Sequence, residues 1–161
     1  MTIREEINEI VVPNYEDEIV KPMAGKNHAR IQSRLIAELL RYEDKFDVLP
    51  ELDLELPGRA RPDLCIYPNL SYDWWKEEHK VTQAPIVTIE ILSYSQGIED
   101  LLSKARDIYF TANVQSAWFV VPGLNIIHIT TPNGQTATFQ QNEKLVDPVT
   151  GIEVELREVF R

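Results

Sequence analysis

Hydrophobic positions along the chain change period several times, and each change marks an element. Ile31, Leu35 and Leu39, with Ile36 and Leu40, recur at helical spacing and predict a helix over residues 27–42. His28 falls inside the arc of that stripe, and Glu38 lies at its margin, seven residues after Ile31. Leu52, Leu54 and Leu56 then alternate with Glu51, Asp53 and Glu55, the period of two expected of a strand with one wet face. Pro57-Gly58 stops it. Two short, nearly continuous apolar runs follow, residues 64–67 and 86–92, and predict strands in the middle of a sheet covered on both faces. Between them, residues 69–83 carry Trp74 and Trp75 beside Lys76, Glu77, Glu78 and His79, and read as an insertion or a short helix. Leu101, Leu102, Ala105, Ile108, Tyr109 and Ala112 predict a second helix over residues 98–113. A hairpin is expected from strands at 117–121 and 126–130 about Pro122-Gly123, and a strand at 136–140 closes the sheet. This order predicts an α/β chain, an α+β mixed sheet flanked by helices.

Length and composition narrow the picture. With 161 residues, 43% hydrophobic and 26% charged, the chain is sized for a single domain over residues 1–161. There is no internal repeat and no linker rich in Gly or Ser. The first residues lack the basic and then apolar character of a signal peptide, and no apolar run approaches the roughly 20 residues that span a bilayer. A soluble, cytoplasmic protein with no membrane partner is expected. Cys65 is the single cysteine and lies in an apolar run, where a small buried hydrophobe is its default role. The net charge of -10 argues against a general nucleic-acid binder, because phosphate contacts need clustered cations. Charge is nevertheless segregated: Lys21, Lys26, Arg30 and Arg34 cluster near one helix start, and acids concentrate at residues 16–18 and 51–55. Each cluster taken alone reads first as a solvated face.

The candidate chemistry rests on three side chains. Glu90 stands in an otherwise apolar central strand, where a carboxylate needs a counter-ion, a set of hydrogen bonds or a metal. Asp63 poses the same question one strand earlier, at the head of the run it opens. If these strands are neighbours, both carboxylates lie at one end of the sheet. Mg²⁺, with Mn²⁺ as an alternative, takes one or two carboxylates with carbonyls and waters, and Asp63, Glu90 and the backbone carbonyl of Ile91 would supply that set. Lys104, on the flank of the second helix, would favour the hydroxide and the charge growing on a phosphate, and Glu38 would assist through a water or a second metal. Asp100 and Lys104 also form an acid-first i,i+4 pair, worth about 0.2–0.5 kcal/mol with no function implied.

The order of a helix carrying Glu38, then Pro62-Asp63, then Glu90 on a core strand resembles the PD-(D/E)-x-K nuclease superfamily. More narrowly, the chain resembles the restriction-endonuclease-like family expanded in cyanobacterial genomes. His28, Arg61-Pro62-Asp63, Glu90-Ile91-Leu92-Ser93, Asp100, Lys104, Tyr109, Trp118 and Pro122 carry that resemblance. It implies a restriction-endonuclease-like fold and a metal-dependent endonuclease. Leu92 stands where the superfamily usually has its lysine, so the resemblance assigns the lysine's role to Lys104. Ser93-Tyr94-Ser95 replaces the family's frequent Ser-Pro-Ser, and Val121 replaces a common Asp.

Two readings stay open. One is a Mg²⁺-dependent endonuclease acting on nucleic acid, DNA before RNA, as a homodimer that presents two sites by symmetry. The other, motivated by the acidic charge and by Leu92, is a catalytically inactive module of the same fold that binds a protein or nucleic-acid partner. His28 reads as a core histidine on an apolar helical face, and Trp74 and Trp75 as core anchors or an oligomer contact.

Overall fold

A computed structural model describes residues 23–93 and 96–161. Lys21, the acids at 16–18 and the Tyr94-Ser95 turn, all singled out in the sequence, lie outside the described residues. The first helix, α1 (Lys26–Leu39), ends in a 3-10 turn, Leu40–Tyr42. It buries Ile31, Leu35 and Leu39, the stripe that the spacing predicts.

Six strands form a mixed sheet: β1 (Phe46–Pro50), β4 (Leu64–Pro68), β5 (Val87–Ile91), β6 (Ser116–Val121), β7 (Ile126–Thr130) and β8 (Thr136–Gln140), in spatial order β1-β4-β5-β6-β7-β8. Only β5 and β6 run parallel; the intervening chain, with its helix, forms the crossover. The remaining pairs are antiparallel. The strands β2 (Leu54–Leu56) and β3 (Gly58–Ala60) make a separate ribbon that turns at Pro57, so the alternation at 51–56 is a strand signal that does not enter the main sheet. A second small ribbon, β9 (Lys144–Val146) with β10 (Glu153–Glu155), and a closing turn of helix, α3 (Leu156–Val159), complete the chain.

Each face of the sheet has its own core. On one side Ile31, Leu35 and Leu39 meet Leu64, Ile66, Val87, Ile89, Ile91, Trp118 and Val120. On the other, Leu101, Ala105 and Tyr109 meet Ala60, Ala117 and Phe119. Coverage on both faces makes β5 a continuous apolar run, and strand alternation turns Thr88 and Glu90 away from the α1 side.

The second predicted helix is not uniform. It begins as α2 (Ile98–Lys104), widens into a π turn over Ala105–Tyr109 and tightens into a 3-10 turn at Phe110–Ala112. Residues 69–83 contain neither helix nor strand beyond a single bridge from Val81 to Leu54. Trp74 and Trp75 are 89% and 98% exposed, which corrects the expectation of core anchors. Cys65 is buried. No helix among the described residues is long and apolar enough to cross a membrane.

Candidate active site

Asp63 and Glu90 meet across β4 and β5. The register pairs Leu64 with Ile89, and one further step in an antiparallel ladder sets Asp63 opposite Glu90. Both carboxylates are 1% exposed, in a place where an ionised group needs partners.

Asp63 finds them on two sides. Its Oδ2 accepts the backbone N–H of Ile91 at 2.6 Å, and its Oδ1 lies 3.0 Å from Nε2 of His28. Since a carboxylate only accepts, the imidazole presents Nε2–H. The carbonyl of Asp63 accepts the Gln32 side-chain amide at 2.9 Å. His28 and Gln32 are four residues apart on α1 and share one face, so the start of this helix is stitched to the start of β4. Because the N–H and C=O of a strand residue point to the same side, the N–H of Ile91 on Asp63 sets the Ile91 carbonyl on that side too.

Glu90 is held from the other layer. Oε1 accepts the Tyr109 hydroxyl at 2.5 Å and Lys104 Nζ at 2.7 Å. Oε2 is buried and receives no hydrogen bond. Burial first, then the charge and hydrogen bond of Glu90, push the Tyr109 hydroxyl well above the usual tyrosine range, so it remains a donor. Lys104 is about a quarter exposed, with its ammonium 5.6 Å from the centre of the Tyr109 ring. Asp100 accepts the N–H of Gly97 at 3.4 Å at the start of α2, while Lys104 reaches inward to Glu90.

A cavity of about 240 Å³ opens beside Asp63, walled by His28, Glu51, Arg61, Ile91 and Gln96 among others. Glu51 holds a left-handed backbone, φ 55°, which is uncommon outside glycine and fixes its side chain at this wall. Gln32 donates to it at 3.2 Å. Arg61 also lies 3.9 Å from Asp53, which is bound more closely by Arg59 at 2.8 Å. A larger hollow of about 580 Å³ adjoins, between the start of α1 and the Pro122-Gly123 turn.

The structure therefore brings Asp63, Glu90, Ile91 and Lys104 to one place. It does not bring Glu38 there. Glu38 follows His28 by ten residues, about 15 Å along the helix axis, and pairs with Arg41 at 3.3 Å. His28 and Gln32, then Glu51 and Tyr109, are neighbours of the carboxylates; the sequence named His28 and Tyr109 in the family pattern without a role in the site, and did not single out Gln32 or Glu51 for it. The His28/Gln32 spacing of four was the available signal for the first two.

Among the described residues no group of three or more His, Cys, Asp and Glu side chains is arranged to hold a metal ion. Two carboxylates and a backbone carbonyl remain, a sparse oxygen set suited to a cation that keeps much of its water. The dry, unpartnered Oε2 of Glu90 fits such a cation.

Comparison with known proteins follows the same line. The model of the Uma2 family, described as "Putative restriction endonuclease", matches residues 11–157. No curated protein matches the chain. Among solved structures, the crystal structure of a putative nuclease belonging to DUF820, from Anabaena variabilis, superposes with a TM-score of 0.74. It is 20% identical, over 88% of this chain and 84% of that one, a likeness of fold.

Proposed function

The chain belongs to the Uma2 family of putative restriction endonucleases, and from that membership and the carboxylate geometry we propose a divalent-metal-dependent endonuclease that hydrolyses phosphodiester bonds. One observation carries the metal: Glu90 Oε2 is buried without a partner at the strand end that Asp63 shares. Asp63, Glu90 and the carbonyl of Ile91 are the proposed ligands, for Mg²⁺ or Mn²⁺. A bound divalent ion would polarise the phosphate and lower the pKa of a coordinated water.

The chain's own residues do the rest. His28 and the Ile91 N–H fix the Asp63 carboxylate, and Tyr109 fixes that of Glu90. Lys104, with its ammonium at Glu90, stabilises the attacking hydroxide and the charge gathering on the phosphoryl oxygens as the water oxygen bonds to phosphorus, its proton leaves to solvent and the P–O bond to the leaving oxygen breaks. Arg61, on the cavity wall, presents a guanidinium suited to a neighbouring phosphate. Glu38 takes no part in this proposal, because of its distance along α1.

DNA is the proposed substrate ahead of RNA, cut by a homodimer whose two sites address the two strands. Incubation of plasmid DNA and of an RNA of equal length with Mn²⁺ tests the reading. DNA cleavage should be lost in a folded Glu90→Ala protein. Cleavage that survives this change would remove Glu90 from the mechanism, and sedimentation as a monomer under cleaving conditions would remove the dimer.

A further inference from the structure

The two oxygens of Glu90 are treated differently. Oε1 collects both donors, Tyr109 at 2.5 Å and Lys104 at 2.7 Å, while Oε2 is buried with none. An ionised carboxylate has about four acceptor positions, and donors normally distribute over both oxygens when both are dry. Crowding one oxygen and leaving the other bare is costly, and a cause is needed.

The cause lies in the backbone of the crossover. Lys104 and Tyr109 are five residues apart. On an α-helix five steps rotate the direction by about 140°, and the two side chains would face different ways. Here the chain switches to the wider i→i+5 turn over Ala105–Tyr109, so that residues five apart come nearly into line. Ala105 and Tyr109 are buried on the sheet, whereas Arg106 and Asp107 are exposed, so the extra width is taken up on the solvent side. Burial of Tyr109 among Leu101, Ala117 and Phe119 leaves its ring no freedom to follow a moving carboxylate.

We propose that the π turn is a positioning device for the metal site: it aligns Lys104 and the Tyr109 hydroxyl on Oε1 of Glu90 and thereby commits Oε2 to a divalent cation shared with Asp63. Tyr109 is then a positioning residue, acting through Glu90 and touching neither metal nor substrate. The inference rests on the metal reading above, and its test separates the two.

Calorimetric titration of the protein with Mn²⁺, without nucleic acid, is carried out on the wild type, Asp63→Asn and Tyr109→Phe. Tyr109→Phe removes a single oxygen and keeps the ring. The wild type should bind and Asp63→Asn should not. Tyr109→Phe should bind about 10–100-fold more weakly, the loss typical when a partner of a metal ligand is removed. If Asp63→Asn binds as the wild type does, the metal reading fails. If Asp63→Asn loses binding while Tyr109→Phe keeps wild-type affinity, the positioning role is overturned and the metal reading stands. Should Tyr109→Phe fail to fold, the wild type carries the test: Mn²⁺ should change the tyrosine ultraviolet difference spectrum, saturating with the calorimetric isotherm and absent in Asp63→Asn. A flat tyrosine signal through saturation would overturn the proposal.

Discussion

Nε2 of His28 lies 3.0 Å from Oδ1 of Asp63, a link across 35 positions of sequence that ties the start of α1 to the start of β4. It makes the first helix part of the candidate site as well as part of the core, because the same helix buries Ile31, Leu35 and Leu39 against the sheet. The N–H of Ile91 holds the other oxygen, so the carboxylate plane is set from two elements at once.

His28→Ala should therefore weaken Mn²⁺ binding by about 10–100-fold while the protein stays folded. His28→Gln, whose amide can still donate, should recover part of the loss. Calorimetry with a thermal melt reads both quantities. Equal Mn²⁺ affinity in wild type and His28→Ala would show that Asp63 does not depend on this contact.

The tyrosines predict an alkaline limb of stability. Burial is the main cause that raises Tyr109 and Tyr67 above the ordinary value of 10.0. A raised folded pKa means that the unfolded chain releases its phenolic protons first, so the stabilisation is complete below pH of about 10 and is lost as pH climbs through the folded values. Urea midpoints should fall above pH 10, and the fall should be shallower in Tyr67→Phe. An identical pH profile in that variant would contradict the assignment.

Stability at the start of β6 depends on Asp147. It is wholly buried and accepts Ser116 Oγ at 2.5 Å, Trp118 Nε1 at 2.9 Å, and the N–H and hydroxyl of Thr150, both at 2.7 Å. Asp147→Ala leaves these buried donors unmatched and should cost at least about 3 kcal/mol by urea denaturation. A cost under about 1 kcal/mol would mean that water or a shifted loop replaces the carboxylate.

By contrast, Trp74→Ala should leave the urea midpoint within about 0.5 kcal/mol of wild type, despite the size of the side chain. Trp74 stacks on Tyr72 at 5.5 Å between centroids but is 89% exposed. A larger loss would show that the loop packs on the domain in solution.

Much of this fold was legible in the sequence because the central strands and α1 are dictated by burial, and burial writes a period. Residues 64–67 and 86–92 read as core strands, and β4 and β5 lie at the centre of the sheet. β1 was not legible: Phe46-Asp47-Val48-Leu49-Pro50 is an edge strand, half-buried and ended by proline, and the stronger alternation just after it belongs to a ribbon. The π turn was invisible for a related reason, since the apolar stripe of 98–113 fits an α-helix well enough to hide one widened turn. For the site, Asp63 and Glu90 stood out because carboxylates in apolar runs are expensive. Glu38 stood out too, but acid content says nothing of distance along a helix, and it is His28 and Gln32, one turn apart, that reach Asp63.

The proposed enzyme is a metal-dependent phosphodiesterase centred on Asp63 and Glu90 with Lys104. The decisive experiment is cleavage of supercoiled and linear DNA by the purified protein with Mg²⁺, Mn²⁺ or EDTA, beside Asp63→Ala and Lys104→Ala. Cutting that needs the metal, is abolished by EDTA and is lost in both folded variants is the predicted result. Wild-type cutting by Asp63→Ala, or no cutting by any of the three folded proteins with either metal, would contradict the account and favour a module of this fold that binds without catalysis.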